Sequence, residues 1–137
     1  MMTAATADLQ KAIFAALLAD SGLVAVLGGG KVFDHAPASV GFPYVTFGRA
    51  SVYDWSTATE PGSEQLLTLH VWSKARGKKE TLDIMERLRL ALDGAPLELD
   101  RHRLVDLRLV YSEVRYDDDI DVYHGQLRFR AVTEGAA

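Results

Sequence analysis

The sequence predicts an α+β fold: a single antiparallel sheet of about four strands with helices packed on one face. Three observations carry this reading. Apolar residues recur at helical spacing in two separated stretches, one near the start and one past the middle of the chain. Each helical stretch is followed by two alternating segments joined by turn-forming residues, the pattern of a hairpin. The length of 137 residues, with 48% hydrophobic and 25% charged, suits one domain over 1–137 that buries its own core.

The first helix is expected from Ala7 to Asp20. Leu9, Ile13 and Leu17 form its apolar stripe, widened by Phe14 and Leu18. Thr6 is the expected N-cap, and Asp8 suits the positive end of the helix dipole. Ser21 is expected to cap a short helical segment through Leu27, which Gly28-Gly29-Gly30 ends. This glycine triplet follows a helix, and no Gly-Lys-Ser/Thr comes after it, so it fails the phosphate-loop pattern. Val32 to Pro37 reads as a short extended lead into a loop.

Pro43 opens a strand from Tyr44 to Val52, and Tyr53 to Gly62 reads as a long hairpin loop. The next strand, Glu64 to Ser73, has Leu67, Leu69 and Val71 on one face and Leu66, Thr68, His70 and Trp72 on the other. Both faces are substantially apolar, so this is the central strand. A helix from Lys78 to Asp93 follows, with Ile84, Met85, Leu88, Ala91 and Leu92 as its stripe. Lys79, Asp83 and Arg87 stand four apart and can pair, and Gly94 and Pro96 stop the helix.

Two more strands complete the chain. Leu104 to Arg115 sets Val105, Leu107, Leu109 and Tyr111 on one face and Asp106, Arg108, Val110, Ser112 and Val114 on the other. Val122 to Val132 turns Tyr123, Leu127, Phe129 and Ala131 to the core and His124, Gln126, Arg128 and Arg130 away from it. Tyr116 to Asp119 makes the turn between them, and Thr133 to Ala137 is expected to fray.

Charge and composition then narrow the function. The formal net charge is −4. Arg101, Arg103 and Arg108 are interleaved with Asp100 and Asp106, so there is no basic stripe for nucleic acid. Without cysteine, no disulfide, thiolate metal site or cysteine nucleophile is possible. The N-terminus lacks a basic signal-peptide region, and Ile13 to Leu18 is too short to cross a bilayer, so a soluble chain with no membrane partner is expected.

Candidate chemistry is sparse. Asp117, Asp118, Asp119, Asp121 and His124 form the densest group of metal-ligand types. Counted from Asp117, an EF-hand loop would need glycine where Val122 stands and glutamate where Arg128 stands, so the motif fails. A solvated acidic turn, or a weak contact with a divalent ion or a basic partner, remains. His35, His70, His102 and His124 show no metalloprotease spacing, and Ser51, Ser56 and Ser73 sit in no nucleophile elbow. Asp54 and Glu60 lack a partner frame. No catalytic residue, cofactor site or metal site is therefore named, and an enzyme is not expected. Tyr53 and Trp55 are different: aromatics on a polar loop are anchors for a partner, unless Trp55 folds back onto the sheet.

Several segments together carry a resemblance. They are Asp8-Leu9-Gln10-Lys11-Ala12-Ile13, Leu23 to Leu27, Lys31-Val32-Phe33-Asp34-His35-Ala36-Pro37, Phe42-Pro43-Tyr44-Val45-Thr46-Phe47-Gly48 and His70-Val71-Trp72-Ser73. With them the chain resembles, over nearly its whole length, the tail-completion or tail-terminator family of long-tailed phages and gene transfer agents. The resemblance implies an α+β subunit of a ring, usually sixfold, at the head-proximal end of a tail tube. Such a ring stops tube growth and meets the major tail-tube protein on one side and a head-side connector or stopper on the other. DNA would pass through the channel without specific binding, and no catalytic residue transfers. Under this reading the candidate ring and partner contacts are Tyr53, Trp55 and Glu60, with Asp117, Asp118 and Asp119 at the far turn. The alternatives are another head–tail connector component, or a small ligand-binding or enzymatic α+β domain.

Overall fold

The computed structural model describes residues 2–59 and 61–135. Helix α1 (Met2–Ala19) buries Leu9, Ile13 and Leu17 as their spacing requires. Phe14 and Leu18 lie on its flanks and stay partly exposed. Because the helix already runs from Met2, Thr6 is an interior residue and not its cap. Asp20, not Ser21, caps α2 (Ser21–Leu27): its carboxylate accepts the Leu23 amide at 2.9 Å. Gly28 closes α2 in the left-handed conformation, at φ 76°.

The remaining elements are β1 (Val32–Phe33), β2 (Tyr44–Asp54), β3 (Gly62–Ser73), α3 (Lys79–Leu92), β4 (Arg103–Asp117) and β5 (Val122–Glu134). They form one sheet in the order β1-β2-β3-β5-β4. The expectation of about four antiparallel strands is thus corrected to five in a mixed sheet. Strand β1 runs parallel to β2, with Val32 opposite Val45 and Phe33 opposite Thr46. Two residues are too few to show an alternating pattern, so the lead-in segment hid a strand. The other pairings are antiparallel, and β3 and β5 are central. Thr133 does not fray: it is 1% exposed, inside β5.

All three helices pack on one face. Helix α1 lies over β1, β2 and β3, and α3 lies over β3, β4 and β5. Ile84, Met85, Leu88 and Leu92 of α3 join Leu69, Leu107, Leu127 and Phe129 in the core. Gly125 sets how closely α3 approaches: a Cβ there would stand 2.6 Å from Met85 Sδ and 3.0 Å from Thr81 Cγ2. On the helix surface Lys79 pairs with Asp83 at 2.8 Å. Arg87 instead lies against Gly22, where a Cβ would stand 2.5 Å from its guanidinium.

Strand β4 departs from its expected faces because its register slips twice, between Leu104 and Asp106 and between Leu109 and Tyr111. Each extra residue exchanges the faces for everything beyond it. Leu104, Leu107, Leu109 and Val114 therefore pack on the core. Val105 and Tyr111, expected beside Leu107 and Leu109, are exposed instead.

Asp8 is a buried anchor and not a surface dipole residue. Its carboxylate accepts the backbone amides of Asp100, Arg101 and His102 at 3.0, 2.9 and 3.1 Å, and bonds His102 Nδ1 at 2.8 Å. This ties the α3–β4 connection to α1. Burial alone would push the Asp8 pKa up, but the His102 bond and the three amides outweigh it and hold the pKa at about 2.

Two outcomes are expected. Asp8→Ala leaves three amides short of an acceptor and should cost about 2–3 kcal/mol in urea denaturation. Because the folded pKa lies below the ordinary 3.8, the Asp8 contribution is complete above that value and fades as pH falls toward about 2. Asp8→Asn should therefore flatten the stability–pH curve there. Gly125→Ala should cost about 1–3 kcal/mol through overpacking under α3, read in the same assay.

Candidate assembly interface

With the helices on one side, no helix of the described residues covers the opposite face of the sheet. Cross-strand register lays out its side chains in rows. One row runs Tyr44, Trp72, His124, Arg115 across β2, β3, β5 and β4, and the next runs Thr46, His70, Gln126, Glu113. Trp72 and His124 stack with centroids 4.2 Å apart and planes 2° from parallel. The Trp72 indole N–H donates to Thr46 Oγ1 at 3.0 Å. His70 Nδ1 and His124 Nε2 share a hydrogen bond of 2.7 Å. Phe42 continues the aromatic strip from Tyr44, and Lys74 Nζ stands 5.3 Å from its ring centre. Gly48 makes room for the strip, because a Cβ there would stand 2.3 Å from His70 Nε2.

Sequence reasoning correctly turned His124 away from the core but missed this cluster. The alternation within each strand placed His70 and Trp72 on one face, yet only the β3–β5 register puts Trp72 opposite His124. Burial lowers the His70 pKa. It also lowers that of His124 to about 4, helped by the neighbouring His70 and Arg115 charges. Toward the other end of the face the groups are ionic. Arg130 pairs with Glu64, Arg108 meets Asp106 at 3.1 Å, and the Arg128 guanidinium lies 5.1 Å from the centre of the Tyr111 ring.

The candidate contact residues fall at opposite ends of the sheet. Tyr53 is not on a loop: it lies in β2, opposite Glu64, and is 53% exposed. Trp55 is 49% exposed at the start of the short connection to β3. Its amide donates to Gly62 O at 2.9 Å. Glu60 lies outside the described residues. Asp117 ends β4, and Asp118 and Asp119 are exposed in the turn before β5. The Asp117 carboxylate accepts the Asp119 amide at 3.1 Å. Among the described residues nothing brings this turn to Tyr53 or Trp55 within one chain.

An open cleft of about 830 Å³ separates α1 from β1 and β2, with Phe14, Phe33, Phe47 and Val52 among its walls. Among its polar walls, which include Thr6, Lys11 and His35, Gln10 Nε2 donates to Asp34 Oδ1 at 3.2 Å. Among the described residues no group of three or more histidines and carboxylates is placed to hold a metal ion. None of their helices alone is long and apolar enough to cross a membrane.

The imidazole pair makes a testable demand. Both pKa values are lowered on folding, so the unfolded chain takes up these protons first. The stabilising contribution is full above the ordinary value of 6.5 and is lost as pH falls toward about 4. Chemical denaturation across that range should show stability declining with acid, and His124→Gln should flatten the decline.

The overall build is shared with a chain of known structure. The family model described as "Tail completion protein gp17" matches residues 11–134, from within α1 to the end of β5. The tail completion protein gp17 of Bacillus phage SPP1 is 30% identical over 89 residues. That match covers 65% of this chain and 66% of the phage protein, just under two thirds of its length. A chain in a solved structure, the virion of a native gene transfer agent particle, superposes with a TM-score of 0.88 at 32% identity. It covers 95% of this chain and 97% of the other. From Lys11 to Glu134, through every strand and the greater part of its helices, the chain belongs to the tail completion protein gp17 family.

Proposed function

We propose that this protein is the tail terminator of a phage-like particle. Copies form a closed ring, usually sixfold by the family resemblance, on the head-proximal end of the tail tube. The ring stops tube growth and joins the tube to the head connector. The observation that carries the reading is the superposition of nearly the whole chain on a subunit of a gene transfer agent virion. The role that this match supports is structural.

The physical surface suits such a subunit. A ring needs heterologous contacts that close. The chain presents a 15-residue edge strand, β4, with Val105 and Val110 exposed, and a second edge where β1 covers only Val45 and Thr46 of β2. The proposed ring and partner contacts are Tyr53 and Trp55 at one end of the sheet and Asp117, Asp118 and Asp119 at the other, together with Glu60. The net charge of −4 suits a channel that DNA crosses without being held.

Negative-stain microscopy of particles from cells lacking the gene tests the reading. The expected outcome is filled tailless heads beside tubes of uncontrolled length. Tailless heads beside tubes of normal length would transfer the protein to the adaptor or stopper class. Normal particles would overturn an assembly role.

A further inference from the structure

The outer side of α1 is apolar without a break. Every residue from Ala12 to Ala19 is apolar, so about two turns of the helix show water no polar side chain. Ile13 and Leu17 face the core, but Phe14 and Leu18 are each 38% exposed. Phe14 also walls the cleft of about 830 Å³ over the β1–β2 edge, together with Phe33, Phe47 and Val52. A helix that is apolar all round belongs where all its sides are covered. Within one chain this one is covered on the sheet side only.

Toward the other edge of the sheet, α3 carries a ridge. Leu82, Glu86 and Leu90 follow one another at four-residue spacing. Leu90, at 59%, is the most exposed large apolar side chain of the described residues, and Leu82 is 47% exposed. Arg87 turns toward Gly22 of α2, so Leu82, five residues back, lies on the flank turned away from α2. Arg89, two turns after Leu82, shares that flank. Helix α1 covers β1, β2 and β3, whereas α3 covers β3, β4 and β5. The ridge thus lies on the β4 side of the subunit and the cleft on the β1 side, and no residue of α3 lines the cleft.

The charges of the two surfaces match. Beside the leucines, Lys79 pairs with Asp83 and Glu86 with Arg89. In the cleft Lys11 pairs with Asp100 at 2.6 Å, and the exposed His35 follows Asp34. Asp34 holds the Gln10 amide and, among the described residues, meets no cation. Arg89 gives Nε and Nη2 to Glu86 and keeps further N–H donors.

We infer that the Leu82–Glu86–Leu90 ridge of one copy packs against the Phe14 flank and into the cleft of the next, where Arg89 meets Asp34. This rests on the ring reading and gives it a contact. A ring needs two different surfaces on opposite sides of one subunit, and the ridge and the cleft are such a pair. Burial of leucine against phenylalanine supplies the attraction, and the guanidinium–carboxylate pair sets the register.

Cysteine trapping tests the contact, because the natural chain has no cysteine. In particles from cells whose only copy of the gene carries Phe14→Cys with Leu90→Cys, a short bis-maleimide should give a ladder of linked dimers, trimers and higher forms. Either substitution alone should give none. Separately, Leu82→Gln with Leu90→Gln should leave the melting temperature of the purified chain unchanged, since both side chains already stand in water. The same pair should reduce length-controlled tails at least tenfold. Asp34→Arg, at an exposed position, should reduce them several-fold by setting a like charge before Arg89. Tubes of controlled length without a ladder would overturn the contact and leave the ring intact, as would a harmless leucine pair. A harmless Asp34→Arg would strike out the Arg89–Asp34 pairing. A product that ends at dimers would replace the ring contact with a two-fold one, which also overturns it. Failure of the ring reading itself is read separately, from normal particles in the deletion strain.

Discussion

The pairing of β3 with β5 joins the two halves of the molecule. Each half is a hairpin with its helical lead-in, and neither hairpin alone encloses a core. The ladder runs without a slip from Gly62 opposite Glu134 to Ser73 opposite Tyr123. On the helix side it brings Leu67, Leu69 and Val71 beside Phe129, Leu127 and Gly125, the floor on which α3 rests. On the bare side it places Trp72 on His124 and His70 against the same imidazole. Core and outer surface therefore share one alignment, and a slip of one residue would exchange the two.

That alignment holds because each flanking contact is tuned to it. Gly125 leaves space for Met85 and Thr81, and Gly48 leaves space for the His70 ring. Asp8 holds the amides of Asp100, Arg101 and His102, and so fixes where the chain leaves the helical layer to begin β4. These residues contribute little apolar area. They set distances between elements whose own stability comes from burial of leucine, isoleucine and phenylalanine.

Most of the element plan was legible because it rests on local periodicity. The stripes of α1 and α3 and the two-faced apolar character of β3 follow from spacings within a dozen residues, and so did the resemblance. What escaped reading depends on partners far away in sequence. Strand β1 is defined only by the β2 edge it lies along. The faces of β4 past each bulge are set by β5. Asp8 looked like a helix-dipole residue because its acceptor role involves amides 92 to 94 positions on. The imidazole–indole cluster, likewise, joins residues 54 apart. Tyr53, Trp55 and Asp117 to Asp119 were chosen from their places on an expected loop and a far turn, whereas Tyr53 lies inside β2 and Asp117 ends β4.

The two bulges of β4 bear on the protein before it is incorporated. A free copy of the chain carries a long open strand edge, β4. Flat edges of that kind zip together indiscriminately, and the products are fibrils or clumps that drain the supply. By breaking the spacing of backbone donors and acceptors twice along one edge, the slips at Val105 and Val110 spoil continuous pairing with another such edge. The same residues that confused the face assignment thus make this edge a poor template for strand-to-strand aggregation.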